Sequence, residues 1–453
     1  MAGDWREVSL GDLVEIQHGF AFSGGFFSDE PPGDILLTPG NFAIGGGFQA
    51  GKVKYYTGPA PDDFVLNDGD LLVTMTDLSR NTNTLGSPAL VPHRGSGSRL
   101  LHNQRLGKVV IRPDAALEQR YLFYLLRSRE YRDEVLASAT GTTVKHTSPA
   151  RIRRFRFRLP PILEQRAIAH ILGTLDDKIE LTRRMNETLE AISRALFKSW
   201  FVDFDPVRAK SEGRDPGLPP HLADLFPDSF EDSELGQIPE GWGTLRLGDL
   251  LVLEKGLSYK GQFLGETGMP MVNLGCFLSP GRFAGTAMKH YFGEFRDRHV
   301  VRPRDLVIAN TDLTQKREVI GCPALIPPQD GLDKLLFTHH VFAARFREGQ
   351  EPWKLFAYFS LLQEEFRERA TGFATGTTVL ALPRDAVLGL QAAAPPAALV
   401  RAFGSIAFSV IERQWKTMGE SATLAAVRDT LLPKLVSGEL EVPVLQPCAS
   451  SAL

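Results

Sequence analysis

Apolar residues recur along two stretches of this chain at the spacing of a long striped helix. In residues 162–200, Ile168, Ile171, Leu175, Leu189, Ile192 and Leu196 fall at intervals of 3, 4, 14, 3 and 4. Phe403, Ile406, Val410, Leu424, Val427 and Leu431 repeat those intervals downstream. Both sets keep heptad phase, and Thr182 and Thr417 stand at the same phase in the middle. Residues 162–200 contain one glycine and no proline, and Pro160-Pro161 followed by Glu164 reads as a helix start. Such a helix is roughly 58 Å long. The stripe outruns the width of one small domain, so the pattern predicts two helices paired in a coiled coil, with a looser or register-setting polar centre.

Elsewhere the apolar runs are short and set among Gly and Pro. Leu71-Leu72-Val73-Thr74-Met75, Lys108-Val109-Val110-Ile111 and Leu306-Val307-Ile308-Ala309 read as strands. Phe123-Tyr124-Leu125-Leu126 and Leu355-Phe356-Ala357-Tyr358-Phe359 read as short helices. This is an α+β pattern with much irregular loop. It also occurs twice. Leu10-Gly11-Asp12-Leu13 returns as Leu247-Gly248-Asp249-Leu250, Thr76-Asp77-Leu78 as Thr311-Asp312-Leu313, and Pro88-Ala89-Leu90 as Pro323-Ala324-Leu325. Thr140-Gly141-Thr142-Thr143-Val144 returns as Thr375-Gly376-Thr377-Thr378-Val379. Collinear matches at nearly constant offset mean two copies of one unit. The expected organisation is a first globule over 1–161, a helix over 162–204, a Pro-rich linker wrapped along the surface over 205–238, a second globule over 239–396, a helix over 397–440 and a tail over 441–453.

Composition narrows the classes. The chain is 43% hydrophobic and 23% charged with a net charge of -3. It can bury real cores, and it is not a uniformly basic polyanion binder. Cys276, Cys322 and Cys448 are too scattered for a disulfide framework or a zinc site and fit a reducing compartment. There is no long apolar run, and the opening Met1-Ala2-Gly3-Asp4-Trp5-Arg6 lacks a signal-peptide core, so a cytoplasmic protein is expected.

Catalytic signals are weak. Gly46-Gly47-Phe48-Gln49-Ala50-Gly51-Lys52 imitates a P-loop, but Val53 stands where a hydroxyl should hold magnesium, and a strand-like segment follows where a helix is needed. The Pro-Pro pairs are followed by Gly33, Ile162, His221, Gln329 and Ala397, none of which suits the base-binding motif of an amino-methyltransferase. His339-His340 are adjacent and suit a shared metal poorly.

Charge is the stronger signal. Residues 1–79 hold 3 basic and 12 acidic residues, whereas residues 80–158 hold 16 and 5. His, Asn and Gln lie among the cations of the second segment, which is the expected footprint of a nucleic-acid face. Part of it, Arg151 to Arg158, is simply the wet side of a strand. The second copy does not repeat the contrast, since residues 315–393 hold 9 basic and 9 acidic residues. One scaffold with two different charged surfaces is what two domains reading different sequences would have.

Several stretches carry a family resemblance. They are Glu164-Gln165-Arg166-Ala167-Ile168, Leu175-Asp176-Asp177-Lys178-Ile179, Phe197-Lys198-Ser199-Trp200-Phe201-Val202-Asp203-Phe204-Asp205-Pro206, Leu235-Gly236-Gln237-Ile238-Pro239-Glu240-Gly241-Trp242 and Leu431-Leu432-Pro433-Lys434-Leu435-Val436-Ser437-Gly438-Glu439-Leu440. In these the chain resembles the specificity (S) subunit of type I restriction–modification enzymes, over essentially its whole length. The resemblance implies two similar target-recognition domains separated by two long antiparallel coiled-coil helices, with an internal pseudo-twofold repeat. Each domain reads half of a split site in double-stranded DNA, and the helices set the spacer. The S subunit has no catalysis or cofactor of its own. It recruits two methyltransferase (M) subunits and nuclease-translocase (R) subunits for phage defence, with S-adenosylmethionine, ATP and Mg on those partners. Ala397-Ala398-Leu399-Val400-Arg401 departs from the Glu-Gln-Arg start of the first helix, so contacts to the second M subunit are expected to differ.

The residues expected to meet DNA are Arg80, Asn81, Asn83, Arg99, Asn103, Gln104, Arg105, Lys145 and His146 in the first domain. In the second they are Gln315, Lys316, Arg317, His339 and His340. Arg and Lys suit phosphates, and Arg, Asn, Gln and His suit base edges in the major groove. The Thr-Gly-Thr-Thr loops stand equally as DNA contacts or as turns joining helix to strand. Outside the resemblance, the alternatives are a DNA-binding adaptor of a related defence system, or a nuclease or methyltransferase with an unrecognised site.

Overall fold

The computed structural model describes residues 5–49, 53–77, 83–93, 97–278, 281–312, 318–376 and 379–443. The chain divides into two compact units. One comprises Met1–Leu181 with Ser421–Leu453, and the other Thr182–Glu420. The division falls inside both long helices, so each unit holds one globule and one end of each helix.

In the first unit, strands Val14–His18, Leu106–Ile111, Leu71–Thr74 and Pro88–Leu90 form an antiparallel sheet in that order. A second sheet runs Phe27–Ser28, Lys54–Tyr56, Asp34–Leu37, Leu100–His102 and Val65–Leu66, with Asp34–Leu37 and Leu100–His102 parallel. Strand alternation explains why Leu71–Thr74 is buried on both faces. Leu71 and Val73 face a cluster with Tyr121, Leu122, Ile168 and Leu172. Leu72 faces the other way, into a cluster with Ile35, Leu100 and Leu106.

The second unit repeats this strand for strand. Its antiparallel sheet is Leu251–Lys255, Val341–Phe346, Leu306–Ala309 and Pro323–Leu325. Its five-stranded sheet is Leu264–Gly265, Lys289–Tyr291, Met269–Val272, Leu335–Phe337 and Val300–Val301, again with the parallel pair in the middle. The duplication read in the sequence is therefore a duplication of topology.

The Pro-rich segment after Phe204 is not a loose strap along the surface. It forms helix Asp205–Ser211 and the hairpin Phe230–Ser233 with Gly236–Pro239. It also buries Val207, Phe226 and Ile238 in one cluster with Trp200 and Trp242. Pro206 and Pro220 stand in the first turns of helices Asp205–Ser211 and Pro220–Ala223, where a missing N–H costs nothing, and Pro239 ends the strand Gly236–Pro239.

The long helices span Ile162–Phe201 and Ala397–Ser437. Each is roughly 60 Å long. No described helix is long and apolar enough to cross a membrane. In the first unit, Ile168 and Leu172 share a core with Leu432 and Leu435, and Asp176 meets Arg428 at 2.7 Å. In the second, Asn186 meets Thr417 at 2.7 Å, and the Trp200 ring packs tilted against Phe403. In both units, positions that rise along one helix meet positions that fall along the other, so the segments run antiparallel.

The buried stripe differs from the expected seam in one row. Ile168, Leu175, Leu189 and Leu196 lie on it, as do Phe403, Val410, Leu424 and Leu431, all buried or half-buried. The second row lies four residues on from these rather than three. Leu172, Ser193 and Ala407 are buried, and Arg428 is half-buried. Ile171 is left half-buried at the flank, while Ile192, Ile406 and Val427 are 53%, 37% and 42% exposed. The hydrophobic pattern misplaced this row because Ser193, Ala407 and Arg428 carry little apolar signal. The flank isoleucines and valine carry more.

Candidate nucleic-acid interface

One short strand in each globule lies beside several of the residues that the sequence singled out. In the first, Thr76–Asp77 pairs with Lys145–His146, placing His146 opposite Thr76 and Lys145 opposite Asp77. The Thr76 hydroxyl lies 3.2 Å from His146 Nδ1. The Met75 N–H donates to the Arg105 carbonyl at 2.8 Å, and the Thr147 N–H donates to the Met75 carbonyl at 3.0 Å. Gln104-Arg105 and Lys145-His146 therefore flank one strand, although 40 residues of sequence separate them.

Asp77 is 1% exposed, and its carboxylate is consumed by structure. It accepts the Thr84 N–H at 2.6 Å and the Thr84 hydroxyl at 2.9 Å. These bonds tie Thr84 to Asp77, on either side of residues 78–82. Asn83 precedes Thr84, whereas Arg80 and Asn81 lie outside the described residues. The second globule uses the same device. Asp312 is buried and accepts the Val319 N–H at 2.8 Å. Gln315, Lys316 and Arg317 fall between Asp312 and Val319 in the sequence and lie outside the described residues.

Thr140-Gly141-Thr142-Thr143 lies in a hairpin turn, and the second copy is bracketed in the same way, although its Thr377 and Thr378 lie outside the described residues. Thr140 and His146 exchange backbone hydrogen bonds at 2.9 and 2.8 Å, and Thr375 and Ala381 do so at 3.0 and 2.8 Å. Gly141 and Gly376 have φ of 98° and 114°. A Cβ at either would overlap the carbonyl oxygen of Val144 or Val379. Only glycine fits, and the turn holds Lys145-His146 in place.

Two of the expected DNA contacts have other work. Arg99 donates to Asp34 at 2.7 Å and to Asp62 at 3.3 Å, and the Asp34 carboxylate holds its guanidinium above the usual range. Asn103 is buried, and its side chain accepts the Arg105 N–H at 2.9 Å, shaping the turn that carries Arg105. More broadly, the basic segment closes on the acidic one. Lys108 pairs with Asp70 at 2.7 Å, Arg112 with Glu15 at 3.6 Å and Arg156 with Glu7 at 2.9 Å. Much of the charge contrast along the sequence is therefore cancelled in space. His102, just before the turn, is buried beside the Leu106 carbonyl, and burial pushes its imidazole down to about 4.

The same turn in the second globule carries His339-His340, and its frame matches bond for bond. Phe20 N–H to His102 carbonyl becomes Leu257 to Phe337, Gln104 to Phe20 becomes His339 to Leu257, and Met75 to Arg105 becomes Asn310 to His340. Gln104 thus corresponds to His339, and Arg105 to His340. Opposite them, Lys145-His146 is replaced by Leu380-Ala381. The backbone is repeated while the side chains that face outward are exchanged.

Sequence reasoning missed three neighbours of the histidines. Lys289 Nζ lies 3.0 Å from the Tyr259 hydroxyl and 5.4 Å from its ring centre. Lys255 and Lys289 act electrostatically on His340. Lys289 lies in a stretch, residues 282–317, with 8 basic and 4 acidic residues, but nothing in the sequence joined it to Tyr259. In the glycine-rich P-loop imitation, Gly46 and Gly47 are at positive φ, as is Gly45 before them, and strand Lys54–Tyr56 follows, while Ala50, Gly51 and Lys52 lie outside the described residues.

Among known proteins, residues 2–191 match the family described as Type I restriction modification DNA specificity domain. The type I restriction enzyme HindI specificity subunit of Haemophilus influenzae is 26% identical, over 96% of this chain and 100% of its own length. The MjaIX specificity subunit of Methanocaldococcus jannaschii is 24% identical, over 76% of this chain and 74% of its own. Among solved structures, the type I restriction–modification S subunit from M. genitalium superposes with a TM-score of 0.59 at 15% identity, covering 96% of both chains. That likeness is one of fold.

Proposed function

We propose, from the premise that this chain belongs to the family of type I restriction–modification specificity subunits, that it gives such a complex its DNA sequence specificity through two half-sites. The observation that carries the two-site reading is the repeated backbone frame with exchanged side chains. Gln104-Arg105 and Lys145-His146 stand on one copy, and His339-His340 and Leu380-Ala381 at the equivalent places on the other. Equal frames give both domains the same approach to DNA, and unequal side chains give them different bases to read.

In this reading the domains are target-recognition domains over 1–161 and 239–396. The antiparallel helices pair as a coiled coil over their length and fix the distance between half-sites. Arg105, Gln104, Lys145, His146 and Asn83 meet the first half-site together with Arg80 and Asn81. His339, His340, Gln315, Lys316 and Arg317 meet the second. The chain itself carries no catalytic step and acts in the cytoplasm. It assembles with two methyltransferase subunits, which supply methyl transfer from S-adenosylmethionine, and with nuclease-translocase subunits, which use ATP and Mg.

Genome-wide methylation mapping in the source cell, with and without this gene, tests the reading. Loss of one split, asymmetric N6-methyladenine motif is expected, and that motif is the target. An unchanged methylome in a cell whose methyltransferase subunit is expressed would refute it. Effector proteins other than a methyltransferase on the purified chain would then identify an adaptor.

A further inference from the structure

The second domain holds a cluster of cationic and titratable groups of which the proposed function uses only the two histidines. Strand Leu251–Lys255 ends on Lys255, strand Lys289–Tyr291 begins on Lys289, and Tyr259 lies between them and the turn that carries His339 and His340. The Tyr259 ring centre is 6.3 Å from that of His339, which is 3.9 Å from that of His340. His340 Nδ1 is 2.9 Å from the Thr311 hydroxyl, so Nε2 is the nitrogen left to donate outward. His339 Nδ1 is buried without a hydrogen-bond partner among the described residues.

The charges acting on His340 are those of His339, Lys255 and Lys289. All are cations or become so. Burial first, and then these neighbours, hold the His340 imidazole below its ordinary range. The His340 imidazole, beside His339 and under the charges of two ammonium groups, is disfavoured as a cation while nothing negative is present. An anion reverses that balance, because its charge offsets the lysines and makes an imidazolium favourable. A phosphodiester suits the place chemically. It carries one negative charge and two free oxygens, which can accept from an ammonium, a phenol and an imidazolium together. The outcome differs from that on the first domain, where Gln104 and Arg105 occupy the equivalent backbone positions. One of these is always neutral and the other always charged.

We infer, on the DNA-reading function proposed above, that Lys255, Tyr259, Lys289 and His340 form a site for a DNA backbone phosphodiester, and that filling it is coupled to protonation of His340. The ligand is a phosphate of the second half-site. Binding there takes up a proton, so affinity for DNA rises as pH falls.

The test uses the full chain assembled with its methyltransferase subunits, and a labelled duplex carrying the mapped motif. Affinity is read by fluorescence anisotropy between about pH 8 and about pH 6, across a range of salt. The wild type is expected to gain affinity on acidification, by at most about tenfold per pH unit for one proton. His339→Gln with His340→Arg places the first domain's pair on the second domain's turn, and it should lose that gain. Lys289→Ala should bind several-fold more weakly whatever the half-site sequence, with a salt slope lower by about one. Wild-type pH dependence in the double variant, or an unchanged salt slope in Lys289→Ala, would overturn the inference. So would stabilisation of the chain by inorganic phosphate that Lys289→Ala abolishes while leaving DNA affinity untouched, since the site would then serve free phosphate. A wild-type complex that binds no duplex at all would remove the DNA-reading function itself, an outcome distinct from any difference between variants.

Discussion

Arg105 and Lys145 have a different standing from the other cations of the first domain. Arg99, Lys108, Arg112 and Arg156 each meet a carboxylate of residues 1–79, whereas Arg105 and Lys145 meet none among the described residues. An exposed arginine beside a turn fixed by Asn103 and Met75 is free to reach a phosphate or a guanine edge. Arg105→Ala should therefore weaken binding by about 1–3 kcal/mol, and only through the first half-site. Competition with duplexes altered at one half-site or the other measures this, and equal losses on both would sink the assignment. The sequence made the basic segment visible but not its meaning. Linear charge counts cannot tell an arginine that faces DNA from one that closes a salt bridge to a strand 65 residues away, as Arg99 does to Asp34. Lys289 and Tyr259 were illegible for the converse reason, because their partners lie on other strands.

At the scale of elements, the long helices were legible because a 3.6-residue period sustained over 40 residues fits little besides a long helix. The face they bury was legible only in one row. The other row relies on Ser193, Ala407 and Arg428, whose burial comes from packing and pairing rather than from hydrophobicity. The polar centre expected from Thr182 and Thr417 is a bonded one. Thr417 Oγ1 donates to Asn186 Oδ1, and the Gln414 side chain donates to the Asn186 carbonyl at 2.9 Å. Such a layer specifies register, because sliding either helix by a turn leaves these groups unpaired. If the helices set the spacer, a seven-residue insertion between Leu181 and Thr182, matched by one between Glu420 and Ser421, keeps the heptad phase. It adds about 10 Å of helix. Methylation mapping should then find a spacer longer by about 3 base pairs. An unchanged spacer in a folded variant would exclude the helices as the measure.

For the molecule as a whole, the duplication was the most legible feature, since both copies keep their turn and strand landmarks in order. What the copies do differently could not be read as easily. Asp176 meets Arg127 at 2.9 Å and Arg428 at 2.7 Å and accepts from the Tyr124 hydroxyl at 2.7 Å. Burial opposes its charge, but Arg127, Arg428 and Tyr124 together hold it below the usual carboxylate range. One repeat later the same positions are Ile411, Leu362 and Phe359, an apolar cradle. This asymmetry has a pH signature. A carboxylate with a depressed folded-state value contributes stability above its unfolded value, and that stability is lost as pH falls. His102 acts in the same direction. Its imidazole resists protonation down to about 4 when folded, whereas the unfolded chain takes the proton from its ordinary 6.5. Stability is therefore full above that ordinary value and declines through the window between the two, by about 3 kcal/mol for His102 alone. Thermal melting across this range should show a falling midpoint, and His102→Gln should flatten the fall. A His102→Gln profile as steep as that of the wild type would contradict it.

The unit that holds residues 1–181 also holds residues 421–437, and this sets an order of completion during synthesis. Residues 182–420 form an uninterrupted unit that can close as soon as it has left the ribosome. The earlier-made unit cannot. Ile168 and Leu172 wait for Leu432 and Leu435, and Asp176 waits for Arg428. At ordinary rates of translation that wait is roughly 13 to 50 s. The first globule to emerge is thus the last to be finished, and for that interval its helix face is open to whatever chaperone meets the nascent chain.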